Sequence, residues 1–172
     1  TAAIVTMCGS ESTYIILIRI KQTRASADAQ TEEPPVKWTV VTRNPRTGKI
    51  QNIKSGGHGQ SALDVMGKNG IKYNIVKTYP NGVRVGNIPS IKHKDKRSGV
   101  GMAWFPKNWT QRDMVRAGEH VSKLKKNRCA KDGVTIWGTY KGVRVGIIKT
   151  HGQIATIFPD AYYQPKPDKR RK

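Results

Sequence analysis

The sequence predicts an α+β protein in which a twisted antiparallel sheet packs against a few helices. Three observations support this fold class. Residues 133–160 alternate apolar with polar or small side chains, as consecutive half-buried strands do. Residues 110–126 repeat apolar side chains at helical spacing, and residues 73–88 form two short apolar runs around a Pro-Asn-Gly turn. Hairpins packed on one amphipathic helix are therefore the predicted architecture.

The chain divides into three parts by composition. We predict an N-terminal segment and linker at 1–35, a folded domain at 36–164 and a basic tail at 165–172. Residues 25–35 are rich in Ala, Glu and Pro, a composition typical of linkers. Because the first residue is Thr1 rather than Met, we expect the chain to be a processed, excised or engineered fragment.

The first half of the domain contains a strand pair, a glycine-rich loop and a short helix. Strands are predicted at 38–42 and 49–54, and the Ser-Gly-Gly-His-Gly loop at 55–59 follows them. Its glycines allow backbone conformations and ligand approaches that larger side chains would block. A helix is predicted at 61–68, where Asn69-Gly70 ends it.

The second half contains a basic segment, the main helix and the terminal strands. The Lys-rich segment 92–97 is predicted to be a loop. Thr110 is the expected N-cap of the main helix, and Asp113 completes a capping box. His151-Gly152 is the expected turn of the last hairpin. The buried helix face is predicted to consist of Met114, Val115, Ala117, Gly118, Val121 and Leu124.

Charge is the dominant feature of the composition. The 172 residues carry a net charge of +21, and 36% are hydrophobic, which is enough for one ordinary core. Residues 1–35 hold four of the 11 acidic residues but only three of the 32 basic ones, so the positive excess lies in residues 36–172. Such a field attracts polyanions: nucleic acid, an acidic membrane face or an acidic protein.

The sequence predicts neither a metal nor another cofactor. Cys8 and Cys129 do not match zinc-ligand spacing, although a bridge between them stays open. The acidic residues of the domain are scattered, which does not suit two-metal catalysis. The apolar run 14–18 is too short to span a bilayer, and we expect no membrane anchor.

Histidines are the natural candidates for catalysis. RNA cleavage without a metal needs a base, an acid and a cation that stabilises the phosphorane, and histidine suits the first two roles. Of the 4 histidines, glycine-flanked His58 is the first candidate, against the alternative of an ordinary loop histidine. His93 lies between lysines, beside any bound phosphate or simply within a solvated charge run. His120 is expected to be structural and His151 to be exposed.

The order of motifs resembles that of bacterial EndoU nuclease domains, which occur at the C-termini of secreted polymorphic toxins. The resemblance covers residues 55–160. It rests on the glycine-rich run 98–103, the Phe-Pro-Lys-x-Trp-Thr motif at 105–110, the helix and the terminal Thr-x-Phe-Pro at 156–159. It implies a barnase/EndoU/colicin/RelE-like fold and a metal-independent endoribonuclease that leaves a 2′,3′-cyclic phosphate, with tRNA as the leading substrate.

The resemblance also implies site residues. EndoU nucleases have two catalytic histidines and a lysine, with Thr or Ser and an aromatic residue near the C-terminus. Thr156 and Phe158 match the terminal pair, although a tyrosine is usual where Phe158 stands. His93 is the histidine nearest the expected second position. His58 would replace the first, whose usual place is held by Val83 or its neighbours.

A catalytic lysine is expected just before Phe-Pro, where this chain has Met102 and Ala103. Lys107 is the nearest candidate. Further cations are expected to bind the RNA backbone. These are Lys92, Lys94, Lys96, Arg97 and Lys149.

The resemblance predicts partners and location. We expect a domain that is secreted or delivered into a target-cell cytoplasm as the C-terminal part of a larger toxin, with an acidic immunity protein. One alternative is a non-catalytic, ribosome-associated RNA-binding protein, which the basic excess and the aromatic residues Trp104, Trp109 and Trp137 would equally permit. Another is a polyanion-binding module at a membrane surface, which the lack of a broadly apolar basic helix disfavours.

Overall fold

The computed structural model describes residues 39–166. The predicted segment 1–35, with Cys8, lies outside the described residues, as do Trp38 and most of the basic tail. Cys129 is a free, exposed thiol. In chain order the elements are β1 (Val40–Arg43), β2 (Ile50–Ser55), α1 (Gln60–Lys68), β3 (Asn74–Thr78), β4 (Arg84–Asn87), α2 (Lys94–Arg97), β5 (Met102–Trp104), α3 (Gln111–Lys123), a 3₁₀ turn (Lys125–Asn127), β6 (Thr135–Tyr140), β7 (Val143–Thr150) and β8 (Gln153–Pro159).

The predicted α+β class is confirmed, but the strands form several sheets rather than one. Within residues 39–166 there are three antiparallel sheets, with the orders β1-β2, β3-β4-β5 and β6-β7-β8. β5 has only three residues and pairs with β4. It lies next to β8 without joining its ladder, so the second and third sheets meet at their edges.

Helix α3 begins where the sequence predicts. The Thr110 Oγ1 accepts a hydrogen bond from the Asp113 N–H at 3.2 Å, and Asp113 Oδ2 accepts one from the Thr110 N–H at 3.0 Å. The Thr110 backbone and hydroxyl donors, and then Lys141 Nζ at 3.0 Å, hold the pKa of Asp113 well below its ordinary value. The helix ends at Lys123 rather than at 126, because Leu124 leaves helical geometry with ψ of 134°.

The main core lies between α3 and the second and third sheets. Met114, Ala117, Gly118 and Val121 are buried on α3, whereas Val115 and Leu124 are only partly buried. The largest group of buried apolar side chains comprises Val83, Val85, Ala103, Phe105, Met114, Ala117, Val121, Ile136, Val143, Val145 and Ile147.

Strand β5 separates this core from a smaller one. Because successive side chains of a strand point to opposite faces, Ala103 faces the α3 core while Met102 and Trp104 face the other way. There they pack with Leu63 and Met66 of α1. The short central strand therefore joins both packed layers.

Two tight turns connect the strands of the third sheet. Lys141 and His151 have positive φ values of 46° and 52°, and each is followed by a glycine that also has positive φ. Two consecutive residues with positive φ are typical of the turns that match hairpin twist. The predicted turn at His151-Gly152 is confirmed, and His151 is exposed as expected.

Candidate active site

The glycine-rich loop between β2 and α1 carries His58 to the edge of β5. Gly56 has a φ of +67°, a conformation that favours glycine and lets the chain turn out of β2. The backbone then docks on the strand end, because the Phe105 N–H donates to the His58 carbonyl oxygen at 2.8 Å. The position of His58 is therefore set by a main-chain contact as well as by its own side chain.

The His58 ring has one nitrogen committed to the backbone. Nδ1 lies 2.7 Å from the Ala103 carbonyl oxygen, which can only accept a hydrogen bond. Nδ1 must therefore carry the hydrogen, and the neutral ring has its lone pair on Nε2. This arrangement orients the imidazole and leaves Nε2 as a proton acceptor.

The environment of His58 favours the neutral ring. Burial lowers its pKa, the hydrogen bond to Ala103 partly opposes this, and the charge of Lys96 lowers it further. The net pKa is below the ordinary value of 6.5. At neutral pH, Nε2 is thus available to take up a proton, as a general base requires.

A cavity of about 420 Å³ lies beside His58. Two other residues predicted for the site, Lys96 and Thr156, also line it. Lys96 comes from α2 and Thr156 from β8, so the cavity gathers residues from three distant parts of the chain. The rest of the lining includes Lys54 and the apolar side chains Ile53, Ile91, Met102, Met114, Ile154 and Ile157.

Phe158 lies next to His58, on the face of the third sheet that points away from α3. Its ring centroid is 5.8 Å from that of His58, at an interplanar angle of 40°. The ring is partly exposed, and Trp137 lies 5.5 Å away in an edge-to-face arrangement. The predicted aromatic residue is therefore within contact distance of the predicted base.

His93 has a different setting. It is exposed, it immediately precedes α2, and it is not among the residues that line the cavity. Its Nε2 lies 3.1 Å from Nδ2 of Asn52 in β2. His93 shares the basic segment with Lys96, yet the structure does not bring its ring to His58.

The other predicted cations lie outside the cavity lining. Lys107 is exposed between β5 and α3, and Lys94 and Arg97 are exposed on α2. Lys92 lines a separate cavity of about 950 Å³ on the side of the β1-β2 turn. Lys149 is only 8% exposed within β7. The roles assigned to these residues stay predictions.

Comparison with known protein families gives a match that spans most of the described residues. The family model of the bacterial EndoU nucleases matches residues 45–161, which is more than half of the chain. The chain belongs to the bacterial EndoU nuclease family. No curated protein and no solved structure matches it significantly. A nuclease activity follows from the family, and the fold class agrees with it.

The EndoU match begins earlier than the motifs indicated. It starts at residue 45 rather than 55, and so includes the turn after β1 and all of β2. The sequence patterns of two paired strands are common to many proteins. These residues therefore predicted strands but indicated no particular family. The strand pair nevertheless contributes Ile53 and Lys54 to the cavity of the EndoU domain.

Arg84 holds the backbone around the candidate site and was not singled out by sequence. Its Nη1 donates to Gln60 Oε1 and its Nη2 to the Phe105 carbonyl oxygen, both at 2.7 Å. These bonds tie the start of α1 to the end of β5, on either side of His58. Burial lowers the pKa of Arg84, and its buried Nε has no hydrogen-bond partner. The repeated Gly-Val-Arg-Val-Gly pentapeptide was the signal that could have indicated it.

Two further properties concern ions and membranes. Within residues 39–166, no three His, Cys, Asp or Glu side chains are grouped closely enough to hold a metal ion. None of the helices in the described part of the chain is long and apolar enough to cross a membrane.

Proposed function

We propose that this EndoU domain is an endoribonuclease that cleaves RNA without a metal. The attack of a 2′-hydroxyl on the adjacent phosphorus would form a 2′,3′-cyclic phosphate and release the 5′-oxygen. The observation that carries the proposal is the fixed tautomer of His58, whose Nδ1 donates to Ala103 beside a cavity that also contains Lys96 and Thr156.

The first step assigns the base. The Nε2 of His58 takes the 2′-hydroxyl proton while the 2′-oxygen attacks phosphorus. The lowered pKa of His58 keeps the ring neutral, so it can act as a base at neutral pH. Because Nδ1 keeps its hydrogen bond, the imidazolium that forms is held by the Ala103 carbonyl.

The second step concerns the charge on the phosphorane. Lys96 and Lys54 both line the cavity, and an ammonium group there would stabilise the negative charge that develops on the phosphate oxygens. The Thr156 hydroxyl can donate to the sugar or phosphate. The partly exposed Phe158 ring offers a face on which the base next to the cleaved bond can stack.

The leaving 5′-oxygen needs a proton. We assign this role to His93, because it belongs to the same basic segment as Lys96. His93 lies outside the cavity lining, so the assignment requires segment 92–97 to move towards bound RNA. Lys107 is the less favoured alternative, since it is exposed between β5 and α3 and does not line the cavity.

The test is cleavage of RNA in excess EDTA. We expect cleavage to persist and the new 3′ ends to carry a cyclic phosphate. Loss of cleavage in EDTA, with recovery on addition of magnesium or manganese, would replace this mechanism with metal-assisted hydrolysis. Salt-dependent RNA binding without any cleavage would support the alternative of a non-catalytic RNA-binding protein.

We further propose that the domain is the C-terminal toxin module of a larger secreted or delivered protein, acting on tRNA in the target-cell cytoplasm. The net charge of +21 suits both a polyanionic substrate and an acidic immunity protein. Cleavage of purified tRNA and of ribosomal RNA should be compared at equal mass. Equal rates on both would contradict tRNA as the preferred substrate.

A further inference from the structure

The outer face of the third sheet carries a row of side chains outside the cavity. Trp137 of β6, Gly146 of β7 and Phe158 of β8 are register partners, so they lie side by side on one face. The opposite face of the sheet packs on α3. This row therefore lies on the solvent side and begins at the ring that contacts His58.

Gly146 allows the two aromatic rings to meet over the middle strand. A Cβ atom at this position would lie 2.7 Å from Trp137 Cζ3 and 2.9 Å from Phe158 Cε2, closer than side chains tolerate. The glycine thus leaves room for the rings to lie against the strand. Trp137 and Phe158 form an edge-to-face pair with centroids 5.5 Å apart, which fixes their orientation.

Arg144 extends the row away from His58. It lies two positions before Gly146 on the same face, with Cζ 5.0 Å from the Trp137 ring and 5.3 Å from the Tyr163 ring. Its Nε donates to Asp160 Oδ2 at 2.9 Å. Neither terminal nitrogen of Arg144 has a hydrogen-bond partner among residues 39–166, and the side chain is 33% exposed.

Tyr163 is an exposed aromatic ring on an ordered backbone. The residue is 63% exposed, although its backbone N–H donates to Asp160 Oδ1 at 3.1 Å. Asp160 therefore orients both the Arg144 guanidinium and the Tyr163 backbone. The neighbouring Tyr162 is 80% exposed, and its ring contacts no other ring or cation in the described part of the chain.

We propose that Trp137, Arg144 and Tyr163 form a second RNA-binding subsite, for nucleotides that flank the cleaved bond. This inference rests on the proposed ribonuclease function. The planar guanidinium of Arg144 presents its terminal nitrogens to a phosphate, and a base stacks on Tyr163. The subsite is continuous with the cavity through Phe158, whose ring lies 5.8 Å from His58.

Two features favour single-stranded RNA as the ligand. Base stacking on an aromatic ring beside a cation is the common mode for single strands, and it tolerates any base because every base has a π-face. The aromatic row also leads away from the proposed base without a break, through ring contacts of 5.5 and 5.8 Å. A longer RNA should therefore gain contacts that a dinucleotide does not reach.

The test is binding of non-cleavable 2′-O-methyl RNA, with Tyr163→Ala compared with its neighbour Tyr162→Ala. A dinucleotide and a longer oligonucleotide are titrated against the folded variants by fluorescence anisotropy. For Tyr163→Ala we expect roughly tenfold weaker binding of the longer oligonucleotide and unchanged binding of the dinucleotide. Tyr162→Ala should match the wild type with both ligands.

Arg144→Gln tests the phosphate contact separately. The substitution should weaken binding of the longer oligonucleotide. It should also lower the magnitude of the slope of log affinity against log salt concentration by about one. Because the ion pair with Asp160 is lost, the variant is compared only after its melting temperature is shown to be near that of the wild type. If it is not folded, Tyr163→Ala decides the question alone.

The subsite is rejected if Tyr163→Ala binds the longer RNA as tightly as Tyr162→Ala does. It is also rejected if the substitution weakens binding of the dinucleotide and of the longer oligonucleotide equally. A third contrary result is that these residues bind a protein while the affinity for RNA is unchanged. These results can occur in a wild-type protein that cleaves RNA in EDTA, in which case the proposed function stands and only the subsite fails. Absence of cleavage by the wild type would instead overturn the proposed function.

Discussion

The two histidines assigned to catalysis lie in contrasting regions. His58 is partly buried between glycines, with its Nδ1 2.7 Å from a backbone oxygen of β5. His93 is exposed between lysines and lies 3.1 Å from the side chain of Asn52. A carbonyl oxygen can only accept, so it determines the tautomer of His58. The Nδ2 of Asn52 can only donate, so Nε2 of His93 accepts and the hydrogen of a neutral ring lies on Nδ1.

The contrast shows that a reactive side chain can be prepared in two ways. The His58 region is preorganised, since backbone contacts and burial orient the ring and favour its neutral form before RNA binds. The His93 region instead concentrates positive charge on a short exposed helix, α2. Preorganisation suits a base that must accept a proton, and exposed charge suits attraction of the phosphate backbone.

Removal of the preorganised base should have the largest effect. His58→Ala is expected to lower the cleavage rate by roughly a hundredfold or more, the scale for loss of a general base. The lost hydrogen bond to Ala103 should cost about 1 kcal/mol in the free energy of unfolding. Single-turnover kinetics and denaturant unfolding measure the two effects.

His120→Ala is the matched control, because His120 is exposed on α3 and contacts Tyr140, with ring centroids 5.4 Å apart. It should keep nearly normal cleavage. If folded His58→Ala protein cleaves RNA at the wild-type rate, His58 is not the base and the comparison of the two regions loses its basis.

Two lysines of the basic segment 92–97 are expected to have different roles. Lys96 lines the cavity, whereas Lys94 on the same short helix does not. Lys96→Ala should lower kcat by about tenfold to a hundredfold, because it removes a charge that stabilises the phosphorane. Lys94→Ala should change only KM and its dependence on salt. Equal effects of the two substitutions on kcat would show that the segment acts only as diffuse charge.

His93→Ala tests whether the exposed region takes part in chemistry. We expect a loss between those of His120→Ala and His58→Ala, because His93 does not line the cavity and can act only when segment 92–97 moves towards the RNA. A substrate with a better leaving group than a nucleoside 5′-oxygen should restore the rate of the variant, because it needs no acid. If the variant also cleaves the activated substrate slowly, His93 contributes to RNA binding rather than to proton transfer.

The pH dependence of stability should show the smallest difference. The pKa of His58 is lowered on folding, so the unfolded chain binds a proton more readily than the folded one. This contribution to stability is fully present above about pH 6.5, the ordinary value, and is lost as the pH falls towards the folded pKa. The free energy of unfolding of His58→Gln should therefore fall less on acidification than that of the wild type. Parallel pH profiles for the two proteins would contradict the lowered pKa.

The sequence predicted the elements with strong local signals. The capping box of Thr110 and Asp113 and the turn at His151-Gly152 are confirmed. The end of α3 was placed too late, because basic residues after Lys123 suit a helix as well as the 3₁₀ turn that follows. The single predicted sheet is three sheets, because alternation reveals strands but not their pairing.

The site was predictable only in part. His58 and Lys96 could be named as candidates by residue type and neighbours, and Thr156 by the resemblance to EndoU nucleases. Nothing in the sequence placed the three in one cavity. Of the tryptophans considered for RNA binding, Trp104 is 0% exposed and packs in the smaller core. Trp109 is stacked on Phe105 with centroids 5.0 Å apart. The sequence does not distinguish Trp104 and Trp109 from Trp137. Only the packing of the folded protein does.

The sequence by itself determined the features that depend on neighbouring residues: the positive charge, the cap of α3 and the turns of the last hairpins. These need only a few residues to satisfy hydrogen bonds and allowed backbone angles. The tertiary structure alone decided that Ala103, 45 positions away, orients the His58 ring. It also decided that Trp137 and Phe158 meet over Gly146. Such contacts arise when all elements pack at once, because each one costs chain entropy that only the completed core offsets.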